Sequence, residues 1–293
     1  MKKVIVIVGP TASGKTGLSV TLAKAFGAEI INGDSVQVYR GLDIGSAKIS
    51  DKEKDGVVHH LLDIRDLTET YTVSDFQNDA RRLIETIGLP MIVGGTGFYV
   101  KAALYDYDFE GSGRRASFDA SHADVPTEDL VKKLEALDPG IEIDPMNRRR
   151  VLRALELALS GSPRSGKRGK DTPLYDILTL YLDIPRDILE QRLVARLDRQ
   201  IEDGFIREVQ SLSDRGIVID AIGYREIDAM LKGETDLEET KRAIVSASCK
   251  LAKKQKTWFN NQMEPVILDA LSDTLHEDAA KIISTFLARG ETP

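Results

Sequence analysis

Eight consecutive residues near the start of the chain, Gly9, Pro10, Thr11, Ala12, Ser13, Gly14, Lys15 and Thr16, follow the apolar run Val4 to Val8 with the spacing G-x-x-x-x-G-K-T. The chemistry of such a loop is anion binding. Its glycines let backbone N–H groups converge on phosphate oxygens, and the helix that follows adds the positive end of its dipole. Lys15 supplies a point charge and Thr16 a hydroxyl for Mg2+. The usual cargo is a nucleoside triphosphate, which would make the chain nucleotide-binding and ATP-binding. The motif alone specifies only phosphate groups.

Two other places carry groups of comparable interest. Asp34, in Asn32-Gly33-Asp34-Ser35, follows a second apolar run and falls at the carboxyl edge of a parallel sheet, where open α/β sheets bind ligands. A carboxylate there serves as a base, a metal partner or a cap for the next segment. Val93-Gly94-Gly95-Thr96-Gly97 repeats that geometry at a later strand, so Thr96 either presents a hydroxyl beside the phosphate loop or sits in a tight strand-to-helix turn. Arg192, Arg196 and Arg199 recur three or four residues apart, on one face of a helix. Either they pair with neighbouring acids or they clamp a diphosphate.

The scaffold that must hold these residues is legible in the hydrophobic pattern. Lys3 to Val8 reads as a fully buried strand, Lys15 to Phe26 as a helix, and residues 28–32 as a second strand. Residues 57–64 are a candidate third strand, and residues 74–88 a helix with Ser74 as N-cap and Gly88 as stop. Another strand starts at Pro90. Strands alternating with helices imply a P-loop NTPase-like α/β fold, a parallel sheet flanked by helices. Periodicity fails between Asp106 and Pro126, and a capping box at Thr127 opens a short helix. The expected division is therefore a core of residues 1–105 and 141–293, including the C-terminal helices, and a small helical insertion of residues 106–140. No strand reads as ending in the isolated Mg2+-directing aspartate of a P-loop NTPase.

Composition narrows the class. The chain has 293 residues, of which 42% are hydrophobic and 30% charged, ordinary for a globular protein. No stretch approaches the roughly 18 apolar residues of a membrane span, and the start lacks a signal-peptide core, so a cytoplasmic protein with no membrane partner is expected. Cys249 is the only cysteine, which excludes an internal disulfide and a cysteine-based metal cluster. A net charge of -7 argues against a generic nucleic-acid binder. Local charge is different. Arg148, Arg149, Arg150, Arg153, Arg164, Lys167, Arg168 and Lys170 stand against the single acid Glu156, and Lys241 to Lys256 is again basic without an acid. Two basic clusters in an acidic chain point to a confined site for a polyanion.

The segments GPTASGKT, NGDSVQVYRGLDIGSAK, HHLLDI, VGGTGFYVKAAL, RRRVLRALE, AIGYREI and LAKKQKTWF occur in the order and at about the spacing found in bacterial tRNA dimethylallyltransferases. The chain, from Val4 to about Phe259, resembles these tRNA isopentenyltransferases of the MiaA type. The resemblance implies that the loop Gly9 to Thr16, with Arg192, holds the diphosphate of dimethylallyl diphosphate together with Mg2+, with Thr16 as the metal's protein ligand. No phosphoryl group would be transferred. The five-carbon group would pass to the N6 amine of the adenosine on the 3′ side of the anticodon in the tRNA anticodon loop. It further implies Asp34 as the general base, Arg196 as a stabiliser of the departing diphosphate, and Thr96 as a holder of the adenosine or the base. Ser35, Val36 and Gln37 would contact the nucleotide. Arg149, Arg150, Arg153, Gly223, Tyr224, Arg225, Lys253, Lys254, Gln255 and Trp258 match segments that touch tRNA, as does Arg115 or its neighbour Arg114. Trp258 would stack on a base or fill the core. His59 and His60 fit the pattern in a structural role. Ser248, Cys249 and Lys250 depart from the Thr-Arg-Gln common in relatives. A monomer is expected. The rival readings are a P-loop kinase for a small metabolite, a prenyltransferase acting on free adenosine phosphate, and a noncatalytic RNA-binding protein.

Overall fold

The computed structural model describes residues 1–107, 109, 116–165 and 172–289. Arg114, Arg115, Lys167, Arg168 and Lys170 lie outside the described residues. The chain forms two compact units, one of residues 1–104 and 173–293 and the other of residues 105–172.

The first unit is built on a sheet of six strands, β1 (Lys3–Val8), β2 (Glu29–Asn32), β3 (His59–His60), β4 (Pro90–Gly94), β5 (Asp176–Asp183) and β6 (Val266–Asp269). Their order is β3-β2-β4-β1-β5-β6 and every pairing is parallel. The parallel P-loop-like sheet expected from the alternating pattern is thus present. β1 lies at its centre, and its β-branched run Val4 to Val8 has no exposed surface at all, as a strand covered on both faces requires. Ile5, Ile7, Ile30, Met91, Leu180 and Leu182 pack with Leu18 and Leu22 of α1 (Lys15–Phe26) and with Ile283 and Phe286 of the last helix (Leu275–Ala288). The helices α3 (Val73–Thr86) and α4 (Gly97–Leu104) pack on each other. The long helix α11 (Leu237–Met263) packs on α4, on β5, on α8 (Arg186–Asp203) and on α10 (Tyr224–Leu231), and the short α2 (Asp51–Lys54) lies against α1.

Two local expectations are corrected. Thr72, not Ser74, caps α3: its Oγ1 accepts the Asp75 N–H, and the Asp75 carboxylate accepts the Thr72 N–H at 2.8 Å. The third strand shrinks to His59 and His60 because Leu61 (φ 61°) and Asp63 (φ 55°) take left-handed backbone that no strand accommodates. Both histidines are engaged locally, Nδ1 of His59 with the Val57 carbonyl and Nε2 of His60 with Glu29, at 2.9 and 2.7 Å.

The second unit contains α5 (Ala116–Ser121), α6 (Thr127–Leu137) and α7 (Arg148–Leu159). It runs to Thr172 rather than stopping at residue 140. The reason is packing: Val151, Leu152 and Leu155 of α7 close over Leu130 and Leu134 of α6 in a core of their own, which a boundary at 140 would cut in half. Thr127 does not cap α6. Pro126 precedes the helix without a side-chain cap, and the Thr127 hydroxyl accepts a hydrogen bond from Arg148 Nη1 at 2.9 Å.

Candidate active site

Three loops leave the carboxyl edge of the sheet side by side, after β1, β2 and β4. The first is the phosphate loop. No side chain caps the start of α1, so its first N–H groups are free for an anion. Lys15 is half-buried and donates to the Pro10 carbonyl at 2.6 Å. Burial and then the Arg196 charge lower its ammonium pKa to about 7, with Asp34 partly opposing the shift. Arg196, from α8, is also half-buried, and burial again lowers its pKa while Asp34 holds it up. It makes no hydrogen bond or ion pair among the described residues. Arg192 reaches only the Ala12 carbonyl, at 3.4 Å, and Arg199 only its own helix, through the Ala195 carbonyl at 3.2 Å. Pairing with acids therefore does not explain these arginines. Desolvated cations without a counter-ion are costly, and an incoming polyanion removes that cost.

The second loop carries Asp34. Asn32, at the end of β2, fixes it by accepting the Asp34 N–H at 3.1 Å and donating Nδ2 to the Asp34 and Leu61 carbonyls. Oδ1 of Asp34 accepts the Val36 N–H at 2.8 Å, so the residue does cap the next turn. Its second carboxylate oxygen takes no hydrogen bond from the described residues and remains available. The third loop carries Thr96, whose Oγ1 accepts the Ser35 N–H at 3.2 Å and lies 3.4 Å from Ser35 Oγ. Gly94 makes this junction possible: a Cβ there would stand 2.4 Å from the Gly33 backbone.

These groups line one cavity of about 1040 Å³, together with Thr16, Gln37, Arg192, Arg199, Lys254, Gln255 and Trp258. A second cavity of about 360 Å³ adjoins it and is lined by Gly45, Ser46 and Asp220 to Arg225. Asp34 and Arg196 line both. A larger cavity, about 1190 Å³, lies along Asp183, Arg186, Lys241, Cys249, Lys250 and Lys253, and contains none of Lys15, Asp34, Thr96 or Arg196. The site is assigned to the pair of cavities that share the carboxylate.

Other expected residues divide. Gln255 and Trp258 belong to the cavity wall: Gln255 Nε2 donates to the Gly95 carbonyl at 2.9 Å, and a Cβ on Gly97 would meet the Trp258 ring at 2.3 Å. Trp258 is half-buried, with one edge against Phe259. Tyr224 is not free to reach RNA, because its ring is 2% exposed and its hydroxyl is bonded to Glu208 at 2.7 Å. Arg225 pairs with Asp220 at 3.0 Å. Within the second unit, Arg148 is committed to the carbonyls of His122, Ala123 and Val125, and Arg153 pairs with Glu156 at 2.7 Å. Arg149 and Arg150 are exposed.

Some residues escaped the sequence reading. Gln200 lines both cavities, and its position four residues after Arg196 on the same helix face could have revealed it. Two strands end in an aspartate, β5 in Asp183 and β6 in Asp269, but neither lines the cavity of Lys15 and Thr16. Asp183 is ion-paired with Lys256 at 2.7 Å and lines the larger cavity rather than the one beside Lys15.

For a metal, the donors are few. Thr16 is exposed to the cavity with its hydroxyl unbonded, and among the described residues no group of three or more His, Cys, Asp or Glu could hold an ion. A cation here would take its remaining ligands from substrate oxygens and water, the habit of Mg2+ with phosphates.

The depressed Lys15 pKa has a measurable consequence. At about pH 8 a group with this pKa is mostly neutral, and a bound phosphate favours its ammonium form, so binding takes up a proton. Affinity for inorganic diphosphate is expected to fall as pH rises above the Lys15 pKa. Calorimetry in buffers of different ionisation heat should show more proton uptake by the parent protein than by Lys15→Arg, whose guanidinium is always charged. Equal uptake would remove Lys15 from the anion site.

The IPP transferase family model matches residues 37–262. A tRNA dimethylallyltransferase of Acholeplasma laidlawii is 50% identical over 288 residues, 98% of this chain and 99% of its own length. One from Aster yellows witches'-broom phytoplasma is 44% identical over 291 residues, again 98% of this chain and 99% of its own. Among solved structures, the tRNA isopentenylpyrophosphate transferase of Bacillus halodurans superposes with a TM-score of 0.76 at 38% identity, covering 98% of this chain and 97% of that one. A eukaryotic dimethylallyltransferase, described as acting on tRNA, superposes with a TM-score of 0.86 at 28% identity over 98% of this chain and 79% of that one.

Proposed function

The chain belongs to the IPP transferase family, and from that premise we infer that it transfers the dimethylallyl group of dimethylallyl diphosphate to the N6 amine of the adenosine 3′-adjacent to the anticodon of tRNA, releasing diphosphate. The observation that carries this reading is the position of Asp34 between two cavities, one lined by the cations Lys15 and Arg196 and the other walled by Gly45, Ser46 and residues 220–225.

The adenine amine is a weak nucleophile, so its orientation and deprotonation have to coincide with departure of a good leaving group. The free oxygen of Asp34 accepts the N6 proton as the nitrogen attacks the allylic carbon and the carbon–oxygen bond to diphosphate breaks. Thr96, held by Ser35, positions the purine. The free N–H groups at the start of α1, together with Lys15, Arg192 and Arg196, stabilise charge on the departing diphosphate. Mg2+, with Thr16 as its protein ligand, supplies further charge neutralisation when bound. The target base leaves its stack in the anticodon loop to reach Asp34.

A kinase finds less support, because Asp183, the acid ending β5, is paired with Lys256 and does not line the cavity that holds Lys15 and Thr16. Among the described residues no helix is long and apolar enough to cross a membrane, and a tRNA substrate supports a cytoplasmic location.

The test is incubation with Mg2+, dimethylallyl diphosphate and unmodified tRNA, followed by mass analysis of the nucleosides. One adenosine should gain a C5H8 unit. No gain, or consumption of ATP supplied instead, would overturn the reading. A second experiment concerns the tRNA surface. Replacing the exposed Arg149 and Arg150 by Ala should weaken tRNA binding and flatten its salt dependence by about one unit of slope for each phosphate no longer neutralised. An unchanged slope would take both arginines out of the interface.

A further inference from the structure

Glu208 lies on α9 (Phe205–Ser213) and has no part in the chemistry described so far. Its Oε2 accepts the N–H groups of Asp43 and Ile44 at 3.0 and 2.8 Å, and its Oε1 accepts the Gly45 N–H at 3.1 Å and the Tyr224 hydroxyl at 2.7 Å. Four donors thus converge on one carboxylate, three of them consecutive backbone amides. The phenol stays a donor, since burial and then the Glu208 hydrogen bond push its pKa well above the ordinary value.

The gripped segment leads directly into the site. Gly45 and Ser46 wall the cavity of about 360 Å³, and Ser46 and Ala47 line the cavity of about 1040 Å³ that holds Lys15 and Asp34. The same segment is held from two more sides. Gln200 Nε2 donates to the Ile44 and Gly45 carbonyls, and Gln37 Nε2 donates to the Ser46 and Ala47 carbonyls at 3.0 and 3.4 Å. Packing closes the fourth side: a Cβ on Gly45 would lie 2.1 Å from the Phe205 ring and 2.7 Å from Tyr224. A hydrogen-bonded path therefore joins α9 to Gln37, three residues from the candidate base.

We propose that Glu208 is a positioning residue for the acceptor base, holding residues 43–45 so that the cavity wall presents the incoming purine to Asp34. The proposal rests on the transferase reading above. Glu208→Gln keeps the side-chain size but places an NH2 group against two N–H or O–H donors in either amide orientation. The wall then shifts, and misplacement of a reactant by about 1 Å costs on the order of 10²-fold.

The experiment uses the full chain with unmodified tRNA, Mg2+ and dimethylallyl diphosphate, counting active sites by inorganic diphosphate binding. For Glu208→Gln, kcat per diphosphate-binding site should fall about 10- to 100-fold, while KM for the allyl donor and Kd for diphosphate stay within about twofold. A purely structural role would lower the melting temperature and the number of binding sites but leave kcat per site at the parent value, and that result overturns the proposal. If Glu208→Gln does not fold, Gly45→Ala decides, since its Cβ drives the same loop from the Phe205 side. The same kinetic split supports the proposal, and parent-like kcat refutes it. Transfer by the unaltered protein is the separate check on the transferase reading: without it that reading fails and takes this one with it, whereas normal transfer with an indifferent Glu208→Gln sinks only the positioning role.

Discussion

Replacement of Asp34 by Asn is expected to lower the rate of dimethylallyl transfer by about 10²- to 10⁴-fold while tRNA binding stays near that of the parent, the range for losing a positioned general base. The structure makes this a clean experiment. Oδ1 of Asp34 caps the turn by accepting the Val36 N–H, and Asn retains an oxygen for that bond. Asn32 fixes the backbone of residue 34 through main-chain groups that the substitution leaves alone. What disappears is the unbonded second oxygen, the one placed to take the N6 proton. Single-turnover measurement of transfer, beside a filter-binding isotherm for unmodified tRNA, separates the two effects. Equal losses in rate and binding would mean that Asp34 holds the RNA instead of accepting a proton from it.

Arg196→Met should cost about 10²- to 10³-fold in kcat, the range for removing a donor aimed at developing negative charge. The guanidinium has no hydrogen-bond or ion-pair partner among the described residues, so its removal breaks no such link in the fold. Its loss also relieves repulsion of Lys15, whose pKa the Arg196 charge helps to depress. Two results should accompany the slower reaction: a melting temperature equal to or above that of the parent, and less proton uptake on binding inorganic diphosphate, because a larger fraction of Lys15 is then charged beforehand. The sign follows from linkage. Raising the free-state pKa of Lys15 leaves fewer protons to be bound when the anion arrives. A marked drop in melting temperature would show that Arg196 serves stability, and unchanged kcat would place the leaving diphosphate elsewhere.

Much of this site could be read from residue order. The phosphate loop is contiguous, and its function lies in backbone N–H groups whose direction is set by local glycines and the helix that follows, so eight letters suffice to find it. The buried character of β1 and the alternation of strands and helices announce a parallel sheet, and a parallel sheet places the ends of β1, β2 and β4 on one edge. That logic locates Asp34 and Thr96. Other features are not legible. The RRR run gives no means of telling that Arg148 is tied to three carbonyls while Arg149 and Arg150 are exposed, because capture by a loop more than 20 residues away leaves no periodic trace. Tyr224 sits in a segment that resembles RNA-touching ones, yet its hydroxyl faces Glu208, 16 residues earlier in the chain. The extent of the second unit is hidden for a similar reason, since the apolar face of α7 reads as helical in either unit and only its packing on Leu130 and Leu134 assigns it.

The sequence by itself determined which groups are present and the local geometry of those within a few residues of one another: a phosphate cradle, a carboxylate after β2, a hydroxyl after β4 and a row of arginines on one helix face. Only the tertiary structure decided that Asp34 stands between two cavities, that Arg196 arrives beside Lys15 with no hydrogen bond or ion pair among the described residues, and that Glu208 holds the loop at residues 43–45. The physical reason is the range of the interactions. Backbone turns and helix faces are fixed by neighbours along the chain, whereas the environment of a charge depends on which distant segments the folded core brings against it.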